Sequence, residues 1–326
     1  MTASTSAKTN VLKLVLFGAA IWFLSTRISL DISLIRKAVS REMSVAILAV
    51  QPLLLAATLA NALRHSLIIS YPRARFRPCL SAILLSAGLN LVIPGRVTEI
   101  VKATYLQKQL SIPLSNGTAA IVIERLLDLC VVSAIGFLGV FGVYLSNSQP
   151  ILLAFTLTTV GLVFLRPLSI YLLPRLQTKT GRIVNFLRGN FQHVAKMMTW
   201  RLHLSALLLT VLSWSIHFFA IWLFFLLLPS YSLSLAEAAL VFGAIIFAGA
   251  LPGLPGGIGA IQAAVTFSLI QIGIPLEQAL VLSFALHASE ILICATCAPF
   301  ILFTQPTGIG DLLRNPASRG ESEQTS

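Results

Sequence analysis

The stretch IVIERLLDLCVV places Glu124, Arg125 and Asp128 inside an otherwise apolar run. Glu124 and Asp128 lie four residues apart and Arg125 and Asp128 three, so all three share one face of a helix. At the centre of a bilayer each ionised group costs about 2.5–3.5 kcal/mol on the mild insertion scale, so three facing lipid would cost roughly 7–10 kcal/mol. They must face protein or a wet cavity. Their chemistry is that of a lipid headgroup or ion site; the structural alternative is an Arg125–Asp128 pair that locks helix packing. The surplus carboxylate favours a site, because a lock needs only the pair.

A second cluster follows Pro94–Gly95 in LNLVIPGRVTEIVKATYLQKQ. Arg96, Glu99 and Lys102 recur every third residue and share a face. Pro94 and Gly95 break a short apolar segment, and the helix after them starts with free N–H groups beside Arg96, which suits a phosphate. A cytoplasmic turn with snorkelling basic residues accounts for the pattern equally well. The third cluster, LPGLPGGIGAIQAAV, holds Pro255, Gly256, Gly257 and Gly259 and cannot form a continuous helix. No Lys-Ser/Thr follows, so it is no phosphate loop. It reads as an unwound elbow, tolerated at membrane depth only where buried in protein or lining a cavity. The sequence offers no convincing nucleophile–base pair, metal cluster or ATP site, so an enzyme of lipid phosphates ranks last and no cofactor is expected. Cys294 and Cys297, a CxxC in an apolar run, read as packing. His217 in SWSIHFFAIW could shuttle protons but reads first as a packing hydrogen bond, and Glu237 and Glu277 read as acids at helix starts.

Those clusters need elements to hold them. The chain has 326 residues, 56% hydrophobic and 10% charged, with a net charge of +12. No soluble domain hides that much apolar surface, and a disordered chain has the reverse balance. The basic excess sits in short loops, where it orients a membrane protein and attracts anionic lipid; nucleic acid is not an expected partner. Apolar runs cover Val11–Leu24, Val45–Leu63, Cys79–Ile93, Gly117–Leu145, Ile151–Leu173, Leu202–Leu228, Leu235–Leu251, Ile258–Ile272 and Gln278–Phe303. The first reads as an uncleaved span rather than a signal peptide, since no A-x-A site follows. The expectation is an all-α polytopic membrane protein of about eight segments, in one membrane domain over 1–305, with a disordered polar tail over 306–326. Segments 64–77 and 166–201 are basic and acid-free, which makes them cytoplasmic loops of a plasma-membrane protein, while SNSQP and PSYSLS are external. Within the second, Ile183, Leu187, Val194 and Met198 recur at helical spacing, as in an interfacial helix; a solvated loop fits as well.

The two halves echo one another. Pro94–Gly95 precedes Ile112–Pro113–Leu114, and Pro255–Gly256 precedes Ile274–Pro275–Leu276 at nearly the same distance. Twelve and fifteen residues beyond each IPL proline stand Arg125 and Asp128 in the first half, His287 and Glu290 in the second. With two broken or re-entrant elbows, one opening to each side, this would be an inverted repeat with its site at the repeat interface.

The segments NLVIPGRVTE (90–99), IERLLD (123–128) and LPGGIGAIQAA (254–264) followed by GIP resemble the lysylphosphatidylglycerol synthase transmembrane region family, also called flippase-like. The likeness runs from about residue 10 to 305. It implies movement of a lipid between leaflets, typically an aminoacylated phosphatidylglycerol. The soluble domain that charges the lipid in the fused synthases does not follow Phe303, so no transferase activity is implied. Other stand-alone relatives act beside glycolipid, hopanoid or polyprenol pathways, which leaves the lipid open. His287 stands where the family is expected to carry arginine. The expected function is thus a flippase or carrier of a phosphate-bearing lipid, with Arg96, Glu99, Lys102, Glu124, Arg125, Asp128, His287 and Glu290 as its binding residues. The alternative is a non-transporting scaffold or accessory of an envelope biosynthesis enzyme.

Overall fold

Apolar runs punctuated by Pro and Gly fold into helices, and no strand occurs among the described residues. The structure, a computed structural model, describes residues 40–69, 75–91, 98–144, 168–176, 181–197, 199–250 and 255–304. The Val11–Leu24 run, Pro94, Gly95, Arg96, most of Ile151–Leu173 and the 306–326 tail lie outside them. The chain divides into two compact units, Met1–Ser44 and Val45–Ser326, and the helices bearing the charged clusters belong to the second.

In chain order the helices are α1 (Arg41–Ala49), α2 (Gln51–Ile69), α3 (Phe76–Asn90), α4 (Thr98–Leu110), α5 (Leu114–Tyr144), α6 (168–176), α7 (Arg182–Met197), α8 (Trp200–Leu226), α9 (Leu235–Ala250), α10 (Ala260–Gln271) and α11 (Leu276–Thr304). Four stretches among the described residues are long and apolar enough to cross a bilayer: Arg41–Ile69, Leu114–Val143, Arg201–Leu226 and Leu276–Thr296. Helices α3, α4, α9 and α10 have 15, 13, 16 and 12 residues, short of the roughly 20 that a full crossing needs. They pack as two pairs, α3 on α4 and α9 on α10, each pair flanking a sequence break. The second break is at the elbow expected over 255–259; the one expected at 94–95 lies outside the described residues. At the second, Gly256, Gly257 and Gly259 take φ of +67°, +76° and +89°, the left-handed region that glycine enters without steric penalty.

Both elbow helices end alike. Ser111 after α4 has φ +54° and Gly273 after α10 has φ +92°. The following amide in each case reaches back, Ile112 N–H to the Leu106 carbonyl at 3.5 Å and Ile274 N–H to the Leu269 carbonyl at 3.0 Å. Proline then forbids continuation, and a long span begins. The packing between halves is reciprocal as well: α2 lies against α8, α5 against α9, and α11 against α3. The long span of each half thus covers the first elbow helix of the other, which is the packing of a two-fold repeat.

Small residues make the tightest of these contacts. Gly139 of α5 meets the backbone of Ala239 and Leu240 on α9, Gly142 meets the Ala236 side chain, and Gly136 faces Gly243. Close backbone approach replaces the hydrophobic effect as the driving force between helices in lipid. A second packed region gathers Ile69, Leu85, Leu106, Ile123 and Leu127, tying α2 through α5 together.

Two expectations need correction. Segment 64–77 is no loop at its start: α2 runs to Ile69, and Arg64 is buried within it at 3% exposure. The SLIIS that separates Arg64 from Arg73 is apolar enough to continue the helix. The 182–197 segment is a helix rather than a solvated loop, but its apolar residues divide between two settings. Val194 is buried and Gly189 meets Ser115 of α5, whereas Ile183, Phe186 and Leu187 are exposed. The last three are the part that fits a membrane surface.

Candidate functional site

Asp128 projects from the middle of α5 into a group of donors. The Arg64 guanidinium donates to both its oxygens, from Nη1 to Oδ1 and from Nη2 to Oδ2 at 3.5 Å. The Trp214 indole N–H of α8 adds 2.8 Å to Oδ1, and Arg125 Nη2 lies 3.4 Å from Oδ2. One helical turn earlier, Glu124 is 1% exposed and receives His65 Nδ1–H at 2.7 Å and Lys102 Nζ at 3.1 Å. Lys102 also bridges to Glu99 at 2.8 Å, and Glu99 lies 3.5 Å from Arg125. Three cations, Arg64, Lys102 and Arg125, therefore face three carboxylates, Glu99, Glu124 and Asp128. Elements α2, α4 and α5 supply the network, which explains how each charge survives burial.

Helix α4 lies outside the four spans, and there the sign of the electrostatics is clear. Burial alone would raise the Glu99 carboxyl; Lys102 and Arg125 outweigh it and hold it below the ordinary carboxylate value. Burial would likewise lower Lys102, and Glu124 and Glu99 reverse it, so the ammonium stays charged.

A second polar group belongs to the other half. His217 Nε2 of α8 lies 2.9 Å from Glu290 Oε1 of α11. His287 is tied on both ring nitrogens. Gln262 accepts the Gly259 N–H on Oε1 at 2.7 Å, which orients its amide and leaves Nε2–H to donate to His287 Nδ1 at 2.7 Å. His287 Nε2–H then donates to the Gly256 carbonyl at 3.0 Å. One nitrogen accepts and the other donates, so the ring is the neutral Nε2–H tautomer. His287 thereby pins the unwound elbow to α11.

A cavity of about 470 Å³ opens between the two groups. Arg125 and Asp128 form one wall, His217, His287 and Glu290 the other, with Trp214, Phe247 and other apolar side chains between them. Of the cluster's cations Arg125 is the accessible one: its side chain is 35% exposed, against 3% for Arg64 and 6% for Lys102. The three charges of IERLLD therefore do not serve one surface. Glu124 turns into the protein, Asp128 divides between network and cavity, and Arg125 presents its guanidinium to the cavity.

Of the residues expected from the sequence, Glu99, Lys102, Glu124, Arg125 and Asp128 come together in one network, and Arg125, Asp128, His287 and Glu290 line the cavity. Glu99, Lys102 and Glu124 stand behind that wall rather than in it. Arg96, Pro94 and Gly95 lie outside the described residues. Sequence reasoning missed Arg64 and His65, assigned to a loop, Trp214, and the Glu290 partner of His217. Arg64 carries one usable signal, the apolar run on both its sides; for Trp214 the partner is 86 residues away. Glu237 is a helix-start acid as expected, accepting the Ser234 N–H at 2.8 Å.

Among known families, the one described as Lysylphosphatidylglycerol synthase TM region matches residues 10–297. No curated protein and no solved structure matches the chain.

Proposed function

The chain belongs to the lysylphosphatidylglycerol synthase TM region family, and from that premise we propose that it binds a phosphate-bearing lipid headgroup in the cavity and carries it between leaflets. The family places a multi-pass integral membrane protein in lipid metabolism or transport. The observation that carries the finer reading is Arg125: a guanidinium held at the edge of a balanced network, yet open to a cavity shared by both halves. Guanidinium presents a planar donor fork that suits a phosphate. The paired elbows supply the moving parts, each opening the cavity toward one leaflet in turn. In this reading the protein is a carrier and not an enzyme, it sits in a bacterial plasma membrane, and its basic segments, 73–77 and 166–201, face the cytoplasm.

The charge balance of the network favours a second reading. Three cations matched by three carboxylates is what a locked scaffold needs, one that binds lipid or an envelope enzyme without transport. Native mass spectrometry of the full chain, released from mild detergent beside Arg125→Ala, separates the two. A carrier retains a defined phospholipid that the folded variant loses. If both retain the same unselected lipid mixture, Arg125 serves packing and the scaffold reading takes over. Glu124→Gln is the wrong probe for this purpose, because Glu124 is buried among His65, Lys102 and Arg64 and its loss disturbs the fold.

A further inference from the structure

We propose that the His217–Glu290 pair is a proton-binding site whose occupancy is exchanged together with the ligand of the cavity, making the protein a symporter of a proton and an anionic headgroup. The inference rests on the carrier reading above and adds to it the source of driving force. It starts from an asymmetry between the halves. Counted from the two IPL prolines, the first half offers Arg125 and Asp128 to the cavity, and the second offers His287 and Glu290. The first wall therefore sets a guanidinium beside its carboxylate, whereas the second sets imidazoles beside its own.

Within the second wall the duties divide. His287 uses both ring nitrogens to hold Gln262 and the Gly256 carbonyl, and taking up a proton would break the bond from Gln262. His217 meets Glu290 through one nitrogen, at 2.9 Å, and the two side chains are 19% and 21% exposed. The pair is thus shielded from bulk water and open to the cavity. The groups facing it are Arg125 and Asp128 from α5 and His287 and Cys294 from α11. Helix α2 adds Arg64 behind Asp128 and His65 behind Glu124. Helices α3, α9 and α10 contribute the uncharged Asn90, Ile245 and Ile261 to the same cavity.

Charge fixes the direction of the coupling. Among the described residues the guanidinium and ammonium groups of Arg64, Lys102 and Arg125 face Glu99, Glu124 and Asp128, whereas the ion pair of Glu290 is with the His217 imidazole. With a neutral imidazole the pair carries one negative charge, and Nε2–H donates to Glu290. One proton from cavity water makes the imidazolium–carboxylate pair, which is neutral. An anionic headgroup entering beside Arg125 meets a negative cavity in the first state and a balanced one in the second. It therefore binds with the proton, and by reciprocity the proton binds more tightly with the headgroup present. Proton and phosphate move the same way.

The test uses the full chain in phosphatidylcholine liposomes, with a trace of phosphatidylglycerol bearing a fluorescent acyl chain. A membrane-impermeant quencher reads the fraction of probe in the outer leaflet, with and without a pH gradient. The wild type is expected to drive the probe toward the alkaline side, past equal distribution, and to reverse when the gradient is reversed. Glu290→Gln, which keeps a hydrogen-bond acceptor for His217, is expected to lose the response to the gradient, whatever its rate of equilibration. His217→Gln should behave like it. In parallel, NMR of histidine-labelled protein follows the His217 resonance, assigned by its loss in His217→Gln, and is expected to show it titrating as the pH is varied. A wild type that equilibrates the probe but ignores the gradient overturns the proposal while leaving the carrier reading intact. So does a gradient response that survives in folded Glu290→Gln, or a His217 that does not titrate. A probe that the wild type fails to move sinks the carrier reading itself, and the symport with it.

Discussion

Asp128→Asn keeps the shape of the side chain and one carbonyl oxygen for the Trp214 indole, yet removes the charge against which Arg64 is buried. Arg64 is 3% exposed, so water does not replace the lost partner. What remains is the Thr210 hydroxyl at 3.1 Å and Glu124 Oε1 at 3.9 Å from the guanidinium. Breaking a buried pair from one side costs about 3–5 kcal/mol. The residual attraction of Glu124 places the expected loss near the lower end, about 3 kcal/mol or roughly two decades in the unfolding constant. Arg64→Met removes the stranded cation and fills much of its volume. Combined with Asp128→Asn it should recover most of the loss, since replacing both partners of a buried pair is often near neutral. The assay is reversible unfolding in mixed micelles, with wild type, both single variants and the double variant forming a cycle. A loss below about 0.5 kcal/mol in Asp128→Asn would show that Arg64 is solvated or differently paired. Additive losses in the double variant would refute the pairing outright.

The other expectations use the same assay. Gly139→Ala drives a methyl group into the Ala239–Leu240 backbone of α9, and backbone cannot step aside cheaply, so a loss of about 1–3 kcal/mol is expected. A neutral substitution there would mean that α5 and α9 are not in close contact. Gly259→Ala is a different experiment: nothing lies within 4 Å of the new Cβ, but φ is +89°. Its cost, about 1–2 kcal/mol, is therefore backbone strain alone; an unchanged midpoint would place the elbow in another conformation.

The elbows illustrate how far sequence reaches. A window holding Pro255, Gly256, Gly257 and Gly259 has no helical alternative, so the break at the second elbow was legible from local conformational limits, and its φ values follow from them. The resemblance between the ends of α4 and α10 was equally local, because an Ile-Pro-Leu after a left-handed residue stops a helix wherever it occurs. The side of α5 that must avoid lipid was also legible, since the expense of three ionised groups does not depend on what they meet. Their partners were not. Arg64 read as the first member of a basic loop, because its distance from Arg73 along the chain says nothing about Asp128, which lies 64 residues away in sequence.

What the sequence by itself determined here is one-dimensional: the lipid solvent, the helical class, the positions of the breaks and the list of charges that cannot face hydrocarbon. These follow from residue-level free energies that hold in any helical fold. Tertiary structure decided how those charges were divided. It turned Glu124 inward onto His65 and Lys102, left Arg125 open to the cavity, tied down His287 through Gln262, and brought His217 to Glu290 across 73 residues. A helical wheel gives the face on which a side chain stands, but its neighbour depends on which helix packs there and at what depth. That choice belongs to the reciprocal packing of the two halves, set by small-residue contacts between elements far apart in the chain.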